Sequence, residues 1–320
     1  MSLERAIEAI KKYDKFLIIS HIGLEGDSIG CQLAFEKLLK GMGKKTAIVN
    51  GDELPSQYDF MGIAGRISTN TDEEFDYDAV VVLDCPVIRR VGEAKKFLER
   101  AKIVINIDHH VSNENFGDIN WVEGNVSSCG EMIYKLYRKI EADIDKECAF
   151  YLYVAILTDT GSFAYENTSS DTHAIVSDLV SKGLNPRIVH QSLYENKTLP
   201  EIELLRDALS TLKVVHGGKV AYMYVSNKML NRHKLDLSVT EGFINYARSI
   251  TSVKVAAIFF EDAAEPNTVP ISFRAKGEVN VDKIAAAFGG GGHKNASGGG
   301  VEGTLKATIN KVLAKIKEYV

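Results

Sequence analysis

Blocks of apolar residues alternate with amphipathic stretches along the N-terminal half of the chain. Short β-type runs fall at 16–19, 46–49, 79–83 and 103–107, and helical periodicity follows the first of them through 33–39. Compact apolar runs of this length fit strands buried on both faces. Their alternation with helices predicts an α/β fold, with a largely parallel sheet flanked by helices. Ser128 with Glu131 three residues later has the form of a capping box opening a helix through Ile140, and 146–157 reads as a buried, nearly all-apolar helix.

The texture then changes. Asn185-Pro186 is an N-cap and first-turn pair, and a second helix over 198–212 carries Pro200 and Glu201 near its start. Beyond it, 212–216, Gly217-Gly218 and 219–225 form a β-hairpin signal, with further strands expected at 253–260 and 269–276. A glycine-rich stretch, 289–300, precedes a closing amphipathic helix over 304–319. The expected organisation is a first domain over 1–184, a helical linker over 185–212, and a smaller α/β domain with a mixed sheet over 213–320.

Composition narrows the class. The 320 residues are 45% hydrophobic and 25% charged, as in globular proteins, and a net charge of −5 argues against coating long duplex nucleic acid. A nucleic-acid partner should be short or gripped locally. Apolar runs are too short to span a bilayer, and the first twelve residues are charged and amphipathic rather than a secretory signal. A cytoplasmic protein with no membrane contact is expected. Cys31, Cys85, Cys129 and Cys148 lack any paired spacing, so buried reduced thiols are expected.

In a parallel sheet, ligands gather at the carboxyl ends of the strands. His21 follows the first strand, with Glu25 and Asp27 in the next loop before a helix. Asp84 ends the 79–83 strand, Asp108-His109-His110 ends the 103–107 strand, and Asp159 lies in Leu157-Thr158-Asp159-Thr160-Gly161. Singly, Asp27 reads as a helix N-cap and Asp84 as a turn residue. Together, so many carboxylates cannot converge without cations, because they repel and would otherwise protonate. Imidazole with carboxylate oxygen and no thiolate suits manganese, magnesium, cobalt or iron. Two ions roughly 3.5–4 Å apart, bridged by a carboxylate, would acidify water and clamp a phosphoryl group.

In the second domain, the glycine-rich stretch is either a flexible linker or an anion cradle; His293 and Lys294 directly after four glycines favour the cradle. Arg274 on the preceding strand is a candidate phosphate contact. Phe163 and Tyr165 are candidates to stack a base, or else wall residues. His173 falls near a helix start and is read as structural, and His190, His216 and His233 carry no partner pattern.

The run His21-Ile22-Gly23-Leu24-Glu25-Gly26-Asp27, the Asp84 turn, Asp108-His109-His110 and Thr158-Asp159-Thr160 resemble the four ordered motifs of the DHH phosphoesterase superfamily. Phe273-Arg274-Ala275-Lys276 and the run from Gly289 through Gly291, Gly292, His293 and Lys294 to Gly298 resemble the substrate-binding domain that accompanies it. Length and motif style look most like the nanoRNase and pAp-phosphatase group. That group removes mononucleotides from very short RNAs and hydrolyses 3′-phosphoadenosine 5′-phosphate. The resemblance implies one divalent metal ion on His21, Glu25 and Asp84 and a second on Asp27, Asp84, His109 and Asp159, most naturally Mn2+, with Mg2+ or Co2+ as alternatives. It further implies Asp108 as an orienting carboxylate and His110 facing a substrate captured between the domains. Short RNA or DNA oligonucleotides or small nucleotides are the implied partners, and a homodimer is compatible with the chain.

Two departures from the family pattern bear on substrate choice. Glu25 stands where Asp is common, and Ala164 stands where relatives often carry Arg. Rival activities are hydrolysis of cyclic or linear dinucleotides, of single-stranded DNA, or of pyrophosphate. A different class of reading is a non-catalytic nucleotide-binding protein with a decayed site. Loss of metal and turnover together on substituting Asp84 separates enzyme from binder.

Overall fold

A computed structural model describes residues 2–320. The chain divides into two units, one ending at Asn196 and one beginning at Lys197. The first comprises α1 (Ser2–Lys12), β1 (Lys15–Ile19), α2 (Gly26–Gly41), β2 (Lys45–Val49), β3 (Ile67–Ser68), β4 (Ala79–Leu83), β5 (Ile103–Asp108) and β6 (Ile119–Val122). It continues through α3 (Cys129–Lys139), α4 (Lys146–Asp159), α5 (Ser170–Ser181) and α6 (Pro186–Tyr194).

All six strands run parallel in the order β3-β2-β1-β4-β5-β6, as the apolar runs predict. Strands β3 and β6 are the additions. One has two residues and the other is an edge that alternates buried and half-buried positions, so neither makes a continuous apolar run. The order reverses between β1 and β4, and a crevice opens at the carboxyl ends of strands where such a reversal occurs. Register continues that logic. Ile19 pairs with Val82 and Leu83 with Ile107, so His21 and Asp84 leave neighbouring strands at the same level, as do Asp84 and Asp108.

Helices α2 and α4 approach closely because two glycines face the contact. A Cβ on Gly26 would lie 2.5 Å from the Thr158 side chain, and one on Gly30 would lie 2.5 Å from the Tyr151 carbonyl. That approach brings Asp27, in the first turn of α2, toward Asp159, the last residue of α4. The helix begins at Gly26 with Glu25 as N-cap, earlier than the expected start after Asp27. The expected capping box on α3 forms only in part. Ser128 Oγ accepts from Glu131 N at 3.1 Å, while the Glu131 carboxylate accepts instead from Ser127 N and Oγ at 3.1 and 2.7 Å.

The second unit comprises α7 (Leu199–Ser210), β7 (Lys213–Val215), β8 (Val220–Val225), α8 (Asn227–His233), α9 (Phe243–Ser249), β9 (Val255–Phe260) and β10 (Thr268–Ala275). It closes with α10 (Val281–Ala286), β11 (Gly291–His293), β12 (Ala296–Glu302) and α11 (Leu305–Ile316). The segment expected as a linker is shared, with α6 in the first unit and α7 in the second. The sheet is mixed, in the order β11-β12-β10-β9-β8-β7, with β8 and β9 parallel and the other pairs antiparallel. Strand β10 alternates faces, burying Val269, Ile271, Phe273 and Ala275.

The glycine-rich stretch is a hairpin arm, not a linker. A Cβ on Gly290 would lie 2.0 Å from the Gly298 carbonyl, and Gly292 combines φ 150° with a Cβ position 2.6 Å from the Ala296 carbonyl. Only glycine permits that approach.

Candidate active site

Asp84 is the centre of a cluster of carboxylates and imidazoles in the first unit. It holds a left-handed φ of 55° just beyond β4, with its amide donating to the Ile107 carbonyl at 2.9 Å. Non-glycine residues in that region are strained, and the strain turns this carboxylate off the sheet edge. Both of its oxygens are buried and have no hydrogen-bond partner. Three imidazoles surround them at ion-pair range: His21 Nε2 at 3.4 Å, His109 Nε2 at 3.5 Å and His110 Nδ1 at 3.7 Å. A buried carboxylate without donors is costly, and a cation resolves the cost.

Two further groupings adjoin it. Ligand atoms of His21, Glu25 and Asp84 lie within 4.8 Å of one another, as do those of Asp27, His109 and Asp159. His109 Nε2 stands 3.6 Å from Asp159 Oδ2 and 3.9 Å from Asp27 Oδ2. Asp27 has a second attachment absent from the sequence reading: its oxygens accept from the Cys129 and Gly130 amides, at 2.7 and 2.8 Å, at the start of α3. It therefore caps a helix distant in sequence rather than its own. Asp159 occupies the carboxyl end of α4, where the helix dipole disfavours negative charge and favours a cation.

Protonation follows from the crowding. Burial and the charges of Asp84 and Asp159 push the Asp27 carboxyl well above the usual range. Burial, with Glu25 and Asp84 nearby, raises Asp159 to about 7. Burial also works against a charged Asp84, but the His109 and His21 imidazoles outweigh it and hold this carboxyl well below the usual range. Burial opposes charge on His109 and His21 too, yet the surrounding carboxylates raise both. Protons thus occupy a site whose donors suit a divalent cation, and the cluster could hold one. Burial raises the Cys31 and Cys85 thiols to about 12, so neither offers a thiolate.

His110 is oriented from behind. Asp108 is fully buried; its Oδ1 accepts from His110 Nδ1 at 2.7 Å and its Oδ2 accepts from Asn113 Nδ2 at 2.6 Å. Asn113 Nδ2 also lies 2.8 Å from Asn106 Oδ1, and Asn106 Nδ2 reaches the Val82 and Cys85 carbonyls at 3.2 and 3.1 Å. Sequence reasoning missed both asparagines. The available signal was Asn106, a lone amide inside an apolar strand, since a buried amide must find partners.

After Asp159 the chain makes a left-handed turn through Gly161, Ser162 and Phe163, with φ of 54°, 59° and 65°. Phe163 packs against Tyr153 and His173, with ring centroids 6.2 and 5.5 Å away. The Tyr165 ring lies over Gly161, 2.3 Å from where a Cβ would sit. In the second unit, Arg274 Nη1 donates to the Phe273 carbonyl at 3.0 Å. The Gly292 amide donates to Asp282 at 2.9 Å, and Lys294 pairs with Glu278 at 3.4 Å. Gly291 is half-buried on β11, and His293 and Lys294 are exposed.

Fold and site define an α/β protein with a cation-ready carboxylate and imidazole centre at the switch point of a parallel sheet. The chain belongs to the DHH family: residues 15–156 match the DHH family N-terminal domain and residues 217–320 match the DHHA1 domain. It is 29% identical to the bifunctional oligoribonuclease and PAP phosphatase NrnA of Mycoplasma genitalium, over 98% of this chain and 96% of that protein. The protein of the same name in Bacillus subtilis is 25% identical, covering 92% of each. An exopolyphosphatase-related protein from Bacteroides fragilis superposes with a TM-score of 0.91 at 26% identity, over 99% of this chain and 95% of the other. Family and relatives indicate a hydrolase acting on phosphoester bonds. Among the described residues, no helix is long and apolar enough to cross a membrane.

Proposed function

We propose that this chain is a divalent-metal-dependent phosphoesterase that releases mononucleotides from very short RNAs and hydrolyses 3′-phosphoadenosine 5′-phosphate. The observation that carries the metal dependence is Asp84, whose two buried oxygens lack donors while protonatable carboxylates and imidazoles crowd around them. The substrate class rests on end-to-end similarity to relatives named for both activities. In this reading His21, Glu25 and Asp84 hold one cation, and Asp27, Asp84, His109 and Asp159 hold a second. Manganese fits the mixed nitrogen and oxygen donors best, ahead of magnesium or cobalt. Divalent cations bound there supply Lewis-acid polarisation of the phosphoryl oxygens and lower the pKa of water.

The chain's own residues do the rest. Asp108 fixes the proton of His110 on Nδ1, which assigns Nε2 to the phosphoryl group or the leaving oxygen. Glu25 spans one methylene more than an aspartate, and from the N-cap of α2 it still groups with His21 and Asp84. Arg274, His293 and Lys294 bind the substrate phosphate beside the close-packed backbone of Gly291 and Gly292. Phe163 and Tyr165 wall the base, held by the left-handed turn.

The test is a panel of two- to five-nucleotide RNAs, pAp, pGpG, pyrophosphate and polyphosphate, each with manganese, magnesium or cobalt. Turnover concentrated on short RNA and pAp with manganese is expected. No hydrolysis of either by wild type or Glu25→Asp, with metal confirmed bound, contradicts the proposal.

A further inference from the structure

The loops after β1 and β4, the two strands flanking the switch point, are locked together. Ile22 N donates to the Arg90 carbonyl at 2.7 Å, and the Ile22 side chain occupies the space where a Cβ on Gly92 would sit. Gly92 itself holds φ 63°. Arg90 is half-buried, and this lock places its Nη2 3.0 Å from His21 Nδ1 and 3.5 Å from the Ile22 carbonyl. Among the described residues no carboxylate pairs with it. A half-buried guanidinium beside a carboxylate-rich centre, pairing with none of those carboxylates, calls for an explanation.

The His21 ring supplies one. Its Nε2 faces Asp84 Oδ2 at 3.4 Å, so holding a cation requires Nε2 without a proton. Nδ1 carries a ring proton in any case, because it lies 2.7 Å from the Ile22 carbonyl, which can only accept. Arg90 carries only donors, so its 3.0 Å contact with Nδ1 sets donor against donor whether or not a cation lies across the ring. Its planar fork is suited to paired phosphate oxygens, and an anion at the crevice supplies the missing acceptors.

We propose that Arg90 is a phosphate-binding residue of the first unit, whose guanidinium turns from His21 to take a phosphoryl oxygen of the nucleotide substrate. The inference rests on the metal-dependent phosphoesterase reading and adds to it a phosphate contact outside the second unit. It explains why the segment after β4 is pinned so firmly to the loop carrying His21.

Wild type, Arg90→Lys and Arg90→Gln are each titrated first with manganese and then, manganese-loaded, with inorganic phosphate by calorimetry. Manganese affinity should be unchanged or slightly tighter in both variants, because a neighbouring positive charge has been removed or moved. Phosphate affinity should fall at least about tenfold in Arg90→Gln, the scale of a lost charged hydrogen bond, and less in Arg90→Lys. KM for pAp should rise more than kcat falls. A purely structural arginine would weaken manganese and phosphate binding together, and that result overturns the proposal, as does wild-type phosphate affinity in Arg90→Gln. If manganese-loaded wild type neither binds phosphate nor hydrolyses pAp, the functional reading itself fails.

Discussion

Asp108 is fully buried, and each of its oxygens has one side-chain donor, His110 on one and Asn113 on the other. Removing Asn113 leaves one oxygen buried and unpaired and loosens the support of His110. Asn113→Ala should lose about 1–3 kcal/mol in urea denaturation, the cost of an unsatisfied buried acceptor. Its kcat should fall roughly 10- to 100-fold with manganese binding retained, as for groups that orient a site from behind. Unchanged kcat would show that Asn113 does not support His110, and loss of metal would place it in support of the metal ligands instead. At this scale the strand-end positions of His21, Asp84 and Asp108-His109-His110 were legible because polar residues interrupt apolar runs there, whereas Asn50, buried at the end of β2, was not singled out. Asn113 lies in a loop and Arg90 at the start of a 3-10 segment, Ile88–Arg100, and nothing in the one-dimensional pattern says which of these folds back on which strand. The second task of Asp27, capping α3, was equally hidden because its partners lie 102 and 103 residues away.

At the scale of elements, the distance between α2 and α4 sets how Asp27 meets Asp159. Gly30 lies at that contact, with the Tyr151 carbonyl 2.5 Å and the Ala155 Cβ 3.0 Å from where its own Cβ would be. Backbone cannot yield as a flexible side chain would. Gly30→Ala should therefore destabilise the protein by about 1–3 kcal/mol by overpacking, despite alanine's better helix propensity, and should weaken manganese binding as the helices separate. Urea denaturation and a manganese titration check both; a more stable variant with normal metal affinity would show the contact to be looser. Helix α2 was readable from periodicity, α3 and α7 from their caps, and α4 from its apolar content, while the short α8, α9 and α10 were not singled out. Strands β3 and β6 were not, because a two-residue strand and a half-exposed edge produce no apolar block. The glycine stretch misled in one respect: its composition also fits a linker, and only pairing with β12 distinguishes a hairpin.

For the whole molecule, the crowded centre makes stability depend on pH. His21 and His109 have folded pKa values above their ordinary 6.5, and Asp27 and Asp159 above 3.8, with Asp159 at about 7. The folded apo protein therefore binds more protons than the unfolded chain between about pH 5 and 8, and stability falls as pH rises through that window. Asp84 acts oppositely, but only below its ordinary 3.8. A divalent cation displaces these protons, so metal affinity should rise with pH. Thermal melts from pH 5 to 8 should show apo protein losing stability upward while manganese-loaded protein gains over it by a widening margin. A margin constant with pH would contradict proton displacement. Both sheet types were legible because each sheet class has its own apolar pattern; the strand order, which places the switch point between β1 and β4, was not, since no local signal encodes which strands become neighbours.

The central claim is that one carboxylate, Asp84, holds together a divalent-metal centre that performs phosphoester hydrolysis. Its most direct test is a manganese titration with parallel pAp turnover, comparing wild type with Asp84→Asn, a substitution that keeps size and removes charge. Two manganese ions per wild-type chain are predicted, with metal binding weakened at least about 100-fold and turnover lost together in the variant. Full turnover in Asp84→Asn, or hydrolysis by wild type stripped of metal, would contradict the account.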